Sequence, residues 1–312
     1  MTGLDLLLRG GSGVAVAVLL AGCLTANPLD GWDRDEPESA QPLGPEIEGP
    51  ALVLRIDVDP DAPRLNNLGL PAPMAEGHAG QDPVFQRIGV HHAELVPSAF
   101  TPLGAGVIVL DSPHTTKGGH LAVDFDAQPV VTPGGEIVVA ALADLMPGTY
   151  EYLRIAVSYQ EYDVDLEVDV AGQPFEVTGR LASFIESSTY ISEFSIAAET
   201  IHIDGNRPQG YFAFKAPGMA AVQGQAPAGA TTVPNPIDAT SPIEVGSCIV
   251  TAVFDPPLVI RGDEDEDRVI AATLSTDRSF EWIDGNGDGS WQPLAGEAVV
   301  DMGVRGMTLD VR

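Results

Sequence analysis

From residue 50 onward the chain is written in a period of two. The stretch Val164-Asp-Leu-Glu-Val-Asp-Val170 alternates strictly between apolar and acidic residues. Successive side chains of a strand point to opposite faces, so this pattern buries one face and wets the other. Short apolar or β-branched runs at 51–58, 106–110, 120–125, 136–142 and 150–162 precede or adjoin it, and 175–185, 189–196, 210–215, 249–254 and 269–274 continue it. Turn-forming residues separate the runs: 34 glycines and 26 prolines are present, and Met146-Pro147-Gly148-Thr149 is one such turn. No window of about a dozen residues carries an apolar stripe of helical period. The spacing predicts an all-β fold, an antiparallel β-sandwich-like domain with long Pro/Gly-rich loops.

Residues 216–247 break the pattern with an excess of Ala, Gly, Pro, Thr and Ser, as in a long loop or linker. The 65 residues after it are few for an independent core without disulfides. The expected organisation is therefore one body over 50–312, with strands from 248–312 joining the sheets of 50–215. The shared Ile-Asp-Gly-Asn at 203–206 and 283–286 reads as two hairpin turns and not as a duplication. Charge narrows the partners. With 45 acidic and 15 basic side chains the formal charge is −30, which repels nucleic-acid phosphates. Lys117 and Lys215 are the only lysines, so no polybasic membrane patch can be assembled.

The amino terminus addresses the compartment. Residues 10–22 are uncharged and follow Arg9, and their strongly apolar part, 14–21, falls well short of the roughly 20 residues a membrane helix needs. It fits the apolar region of a secretory signal, although Asp5 and a single cation precede it. The run closes on Leu20-Ala21-Gly22-Cys23, which resembles the bacterial lipobox. The resemblance implies cleavage of residues 1–22 and diacylation of Cys23, giving attachment to a membrane through an N-terminal lipid. Two acyl chains make that attachment lasting. Leu24, where some bacteria place an aspartate for inner-membrane retention, favours the outer membrane on its periplasmic or surface face. Residues 23–49 then form an acidic tether, with Asp30, Asp33, Asp35, Glu36, Glu38, Glu46 and Glu48 and four prolines. Once Cys23 carries lipid, Cys248 has no disulfide partner, and it reads as a small buried hydrophobe.

One loop has the spacing of an ion site. Asp284-Gly-Asn286-Gly-Asp288-Gly-Ser290 places oxygens at positions 1, 3 and 5, a glycine at 6 and a carbonyl at 7. Calcium takes six to eight hard oxygens, and this spacing lets a short loop curl around it. The stretch resembles the calcium loop of EF-hands, dockerins and some secreted bacterial β-domains. That resemblance gives Asp284, Asn286 and Asp288 side-chain roles and Ser290 the carbonyl role. The family's bidentate acid at position 12 is Ala295 here, and Glu297, two residues on, is positioned to close a longer loop. Such a calcium ion would order the C-terminal segment.

The histidines offer the alternative. His78, His91, His92, His114 and His120 fall within 43 residues, and with Glu94 they form a donor set suited to copper or zinc. If residues 89–95 are a strand, His92 and Glu94 share one face and His91 the other. The spelling Arg261-Gly262-Asp263 and the acidic run 263–267 read as a solvated turn. No Gly-x-Ser-x-Gly, His-Glu-x-x-His or phosphate-binding glycine loop occurs. The chain therefore reads as an exported, lipid-anchored, calcium-stabilised β-protein of the cell envelope with a noncatalytic binding or structural role. The alternative is a periplasmic copper- or zinc-handling protein or metalloenzyme.

Overall fold

The structure is a computed structural model that describes residues 43–44, 46–119, 121–185, 190–202, 210–225 and 248–312. Cys23, nearly all of the tether, His120 and residues 226–247 of the expected long loop lie outside the described residues.

Along the chain the strands are β1 (Ala51–Asp59), β2 (His78–Gln81), β3 (Val84–Val96), β4 (Val107–Asp111), β5 (His114–Thr115), β6 (Ala122–Val123) and β7 (Val130–Val131). They continue with β8 (Gly135–Ala141), β9 (Gly148–Val170), β10 (Gln173–Phe184), β11 (Glu193–Ile196), β12 (Glu199–His202) and β13 (Tyr211–Lys215). The last are β14 (Val222–Gln225), β15 (Ile249–Ile260), β16 (Arg268–Ser275), β17 (Phe280–Ile283), β18 (Val299–Met302) and β19 (Met307–Val311). No α-helix occurs among the described residues. The chain is all-β and sandwich-like, as the alternation predicts.

Two sheets make the body. The smaller has the order β19-β16-β1-β8, with β1 parallel to β16 and antiparallel to β8. The larger runs β14-β13-β10-β9-β3-β4 and is organised by β9. One edge of this 23-residue strand is shared, its first part pairing with β15 and its last part with β10. Its other edge pairs with β3 over residues 152–163. The expected runs 150–162 and 164–170 thus fuse into a single strand. Asp163, between them, meets Arg180 of β10 through two hydrogen bonds of 2.7 and 3.0 Å, so a carboxylate continues the strand without an unpaired charge.

The inward rows of both sheets meet in one core. Leu52, Leu54 and Ile56 of β1 and Ile270, Ala272 and Leu274 of β16 belong to the same cluster as Leu153, Ile155 and Val157 of β9. In the alternating stretch Val164, Leu166 and Val168 are buried while Asp165 and Asp169 are exposed. A small third sheet, β18-β17-β2, adds Phe280 and Trp282 to this core. Trp291 packs edge-on against Phe280 at 4.7 Å and against Phe214 at 6.0 Å. Phe214 can pack close against β10 because residue 179 is glycine: a Cβ there would stand 2.1 Å from the tip of the ring.

Two predicted strands shrink. Among the described residues of 120–125 only Ala122–Val123 is strand, and among those of 189–196 only Glu193–Ile196. The Phe125 amide is instead taken by the Tyr190 hydroxyl at 2.7 Å, which holds it in a turn.

Candidate functional site

The predicted calcium loop leaves β17 and returns through a short 3-10 turn at Pro293–Ala295 to β18. Its carboxylates fold back onto the loop's own amides. Asp284 accepts from the Gly287 and Gly289 amides at 2.7 and 3.0 Å, and Asp288 accepts from Ser290 at 2.8 Å. Gly287 and Gly289 have φ of 75° and 79°, the left-handed region where a side chain is strained. Asn286 donates to Asp288 at 2.7 Å and to the side-chain oxygen of Gln292 at 2.9 Å. Glu297 reaches back to accept from Gly285 at 3.2 Å and Gln292 at 2.8 Å. The displaced glutamate therefore does face the loop. Among the described residues no Lys, Arg or His nitrogen lies within 4.0 Å of the Asp284, Asp288 or Glu297 carboxylates.

The loop is also tied to the body. Glu167 of β9 donates its amide to the Trp291 carbonyl at 2.8 Å, and its carboxylate accepts from Gln292 at 2.7 Å. The Asp284 amide is held by the Gly77 carbonyl at 3.1 Å. Hard oxygens from two aspartates, an asparagine, a glutamate and a backbone carbonyl fit calcium in chemistry. They are aimed at amides, and among the described residues no group of three His, Cys, Asp or Glu side chains closes around one point.

The histidine set divides. His78, on β2, directs Nδ1 to Glu281 Oε1 at 2.5 Å, in the third sheet. His91 and His92 sit on β3, where His91 is the extra residue of a bulge against β9. The His91 ring lies 6.5 Å from those of both His92 and His114. His92 Nδ1 stands 3.5 Å from Asp111, and burial lowers its pKa although Glu94 and Asp111 oppose the shift. Glu94 is committed elsewhere: its carboxylate pairs with the Arg154 guanidinium, and both side chains are fully buried. His120 lies outside the described residues.

No family model, curated protein or solved structure matches this chain. Its chemistry has to be read from its own side chains.

Sequence reasoning missed the two charged clusters inside the fold. One is the Glu94–Arg154 pair. The other surrounds Glu281, 6% exposed, which receives Arg64, Arg305 and His78. Arg64 also donates to the Ala72, Asp277 and Arg278 carbonyls, at 3.1, 2.8 and 2.8 Å, closing the loop after β1 onto the turn before β17. Arg305 also binds Asp301. Burial pushes the Asp301 carboxyl up to about 6, outweighing Arg305 beside it. Glu281 stays below its ordinary value: burial raises it, but the His78 hydrogen bond and the two arginines more than offset that. The signal for these clusters is charged residues inside apolar strands, as in Phe280-Glu-Trp-Ile283 and Leu153-Arg-Ile155.

Proposed function

We propose that this protein is exported, anchored in the bacterial envelope through acylated Cys23, and stabilised by calcium in the 284–297 loop. It serves a noncatalytic binding or structural role. One observation carries the calcium reading: Asp284, Asp288 and Glu297 gather on one loop with no cationic side chain beside them among the described residues, and that loop is docked on the core through Trp291 and Glu167. Three uncompensated carboxylates repel one another, and a divalent cation removes most of that charge.

Calcium that binds only the folded loop stabilises by mass action, about 2.7 kcal/mol at a hundred times the dissociation constant. For a body of about 260 residues this is a rise in melting temperature of a few degrees. Thermal melts in calcium and in excess chelator are expected to differ by that amount. Asp284→Ala should remove most of the difference, and Glu297→Ala should reduce it. Identical wild-type melts, with no calcium copurifying, would overturn the reading.

The anchor has its own test. Cys23→Ser is expected to abolish incorporation of a fatty-acid analogue and to move the protein out of the membrane fraction. Continued labelling of the variant would exclude Cys23 as the acylated residue.

A further inference from the structure

Away from both the calcium loop and the histidines, a cleft of about 550 Å³ opens beside the β11–β12 hairpin. It belongs to a second apolar cluster, separate from the main core, built on Tyr159 and Phe184. Phe184, 5% exposed, forms its floor with Tyr159, the two rings 5.0 Å apart. Phe125 and Phe194 stand on that floor as walls. Each ring centroid is 5.1 Å from that of Phe184, with interplanar angles of 81° and 84°. Tyr190 completes the wall and fixes its position: its hydroxyl donates to the Val123 carbonyl and accepts the Phe125 amide, both at 2.7 Å. Upright, half-buried rings over an aromatic floor offer stacking and edge contacts to a flat ring.

The mouth carries charge of the rarer sign. Lys117, one of two lysines in a chain with 45 acids, holds Nζ 5.7 Å from the centre of the Tyr190 ring, with no carboxylate within 4.0 Å among the described residues. The Arg87 side chain is 63% exposed. Its partner Glu161, 4.0 Å away, is shared with Arg180 at 3.4 Å and the Tyr159 hydroxyl at 3.0 Å. Two acids also line the mouth, Asp126 and Glu193, and Glu193 is turned to His202 at 3.4 Å. Lys117 with no carboxylate close by among the described residues, and exposed Arg87 whose distant partner Glu161 is shared, stand beside aromatic walls and match a ligand with a flat apolar body and an acidic end.

We propose that this cleft binds planar aromatic acids, the ring seated among Phe125, Phe184 and Phe194 and the carboxylate met by Lys117 and Arg87. The site is independent of the calcium reading and goes beyond it by supplying a ligand class for the binding role.

The test is calorimetric titration of the full chain with 2-naphthoate, its neutral analogue 2-naphthylmethanol, and maltohexaose. Naphthoate is expected to bind about tenfold or more tightly than the alcohol, the preference coming from the cations. Lys117→Gln with Arg87→Gln should erase that preference. Both side chains are exposed, so the melting temperature should stay unchanged. Phe194→Ala should weaken naphthoate and alcohol alike. Equal affinity for acid and alcohol, naphthoate binding that survives the double variant, no binding at millimolar naphthoate, or preference for maltohexaose would each overturn the proposal.

Discussion

Glu94→Gln is expected to destabilise the protein by about 3–5 kcal/mol, the cost of leaving a buried charge without its partner. Arg154 is fully buried and its guanidinium has one carboxylate to face. It also donates to the Thr101 carbonyl at 2.7 Å, while Glu94 accepts the Gly104 and Gly106 amides at 3.1 and 3.2 Å. The pair thus braces the whole connection from β3 to β4. Burial lowers the Arg154 pKa and Glu94 opposes that, so removing the carboxylate exposes the full desolvation penalty. Arg154→Met should be destabilising as well, since the buried Glu94 carboxylate then keeps only two amides as partners. The double variant should be better than the sum of the two, because neither charge remains. Urea unfolding of the four proteins measures the coupling. A Glu94→Gln cost below about 1 kcal/mol, a level ordinary for exposed pairs, would show that water reaches the pair.

Asp301 gives the protein a pH dependence of unusual sign. Its carboxyl, raised from 3.8 to about 6 by burial, holds its proton more tightly folded than unfolded. Between those two values the folded state binds more protons, so stability conferred at low pH is lost as pH rises toward 6 and changes little above it. At about 1.36 kcal/mol per pK unit, the loss is about 3 kcal/mol. Glu281 works against it: with its folded pKa depressed, it contributes stability above its unfolded value that is lost in acid. Asp301→Asn separates the two. Wild type minus variant, from urea unfolding at pH 4, 5, 6 and 7, should fall by about 2.5 kcal/mol across the series, the rest of the loss lying below pH 4. A constant difference would mean that Asp301 titrates as an ordinary carboxylate.

The alternating runs were legible because burial on one face imposes a period that composition cannot hide. Val164–Val170 carries it plainly, and β1, β8, β10, β13 and β16 follow their runs to within a few residues. What escaped were strands whose polar residues are neutralised from elsewhere in the chain. β3 reads poorly because it holds Gln86, Arg87, Gly89, His91, His92 and Glu94, yet it lies against β9 with Glu94 satisfied by Arg154, sixty positions away. β17 is masked by Glu281, whose partners Arg64 and Arg305 come from both sides of the sequence. A lone charge inside an apolar run shows that a partner is needed, but no local pattern says which residue supplies it. The loop at 284–297 was visible as a spacing, and so was the approach of Glu297. Its docking through Trp291 and Glu167 depends on Phe214 lying over Gly179, a contact across four separate segments. The aromatic cleft was invisible for the same reason, since its rings arrive from the β6–β7 turn, β9, β10, β11 and the residues just before β11.

The placement of β1 bears on mechanics. It lies inside the four-stranded sheet, hydrogen-bonded to β16 on one side and β8 on the other, and the chain preceding it touches β8 at Leu43 through bonds of 2.9 and 2.6 Å. Tension applied to the amino-terminal segment would first break that small contact. It would then meet a strand gripped along both edges, whose bonds run across the direction of pull and must yield together in shear, not open singly like a zip. A body built this way resists extension where the load enters along β1.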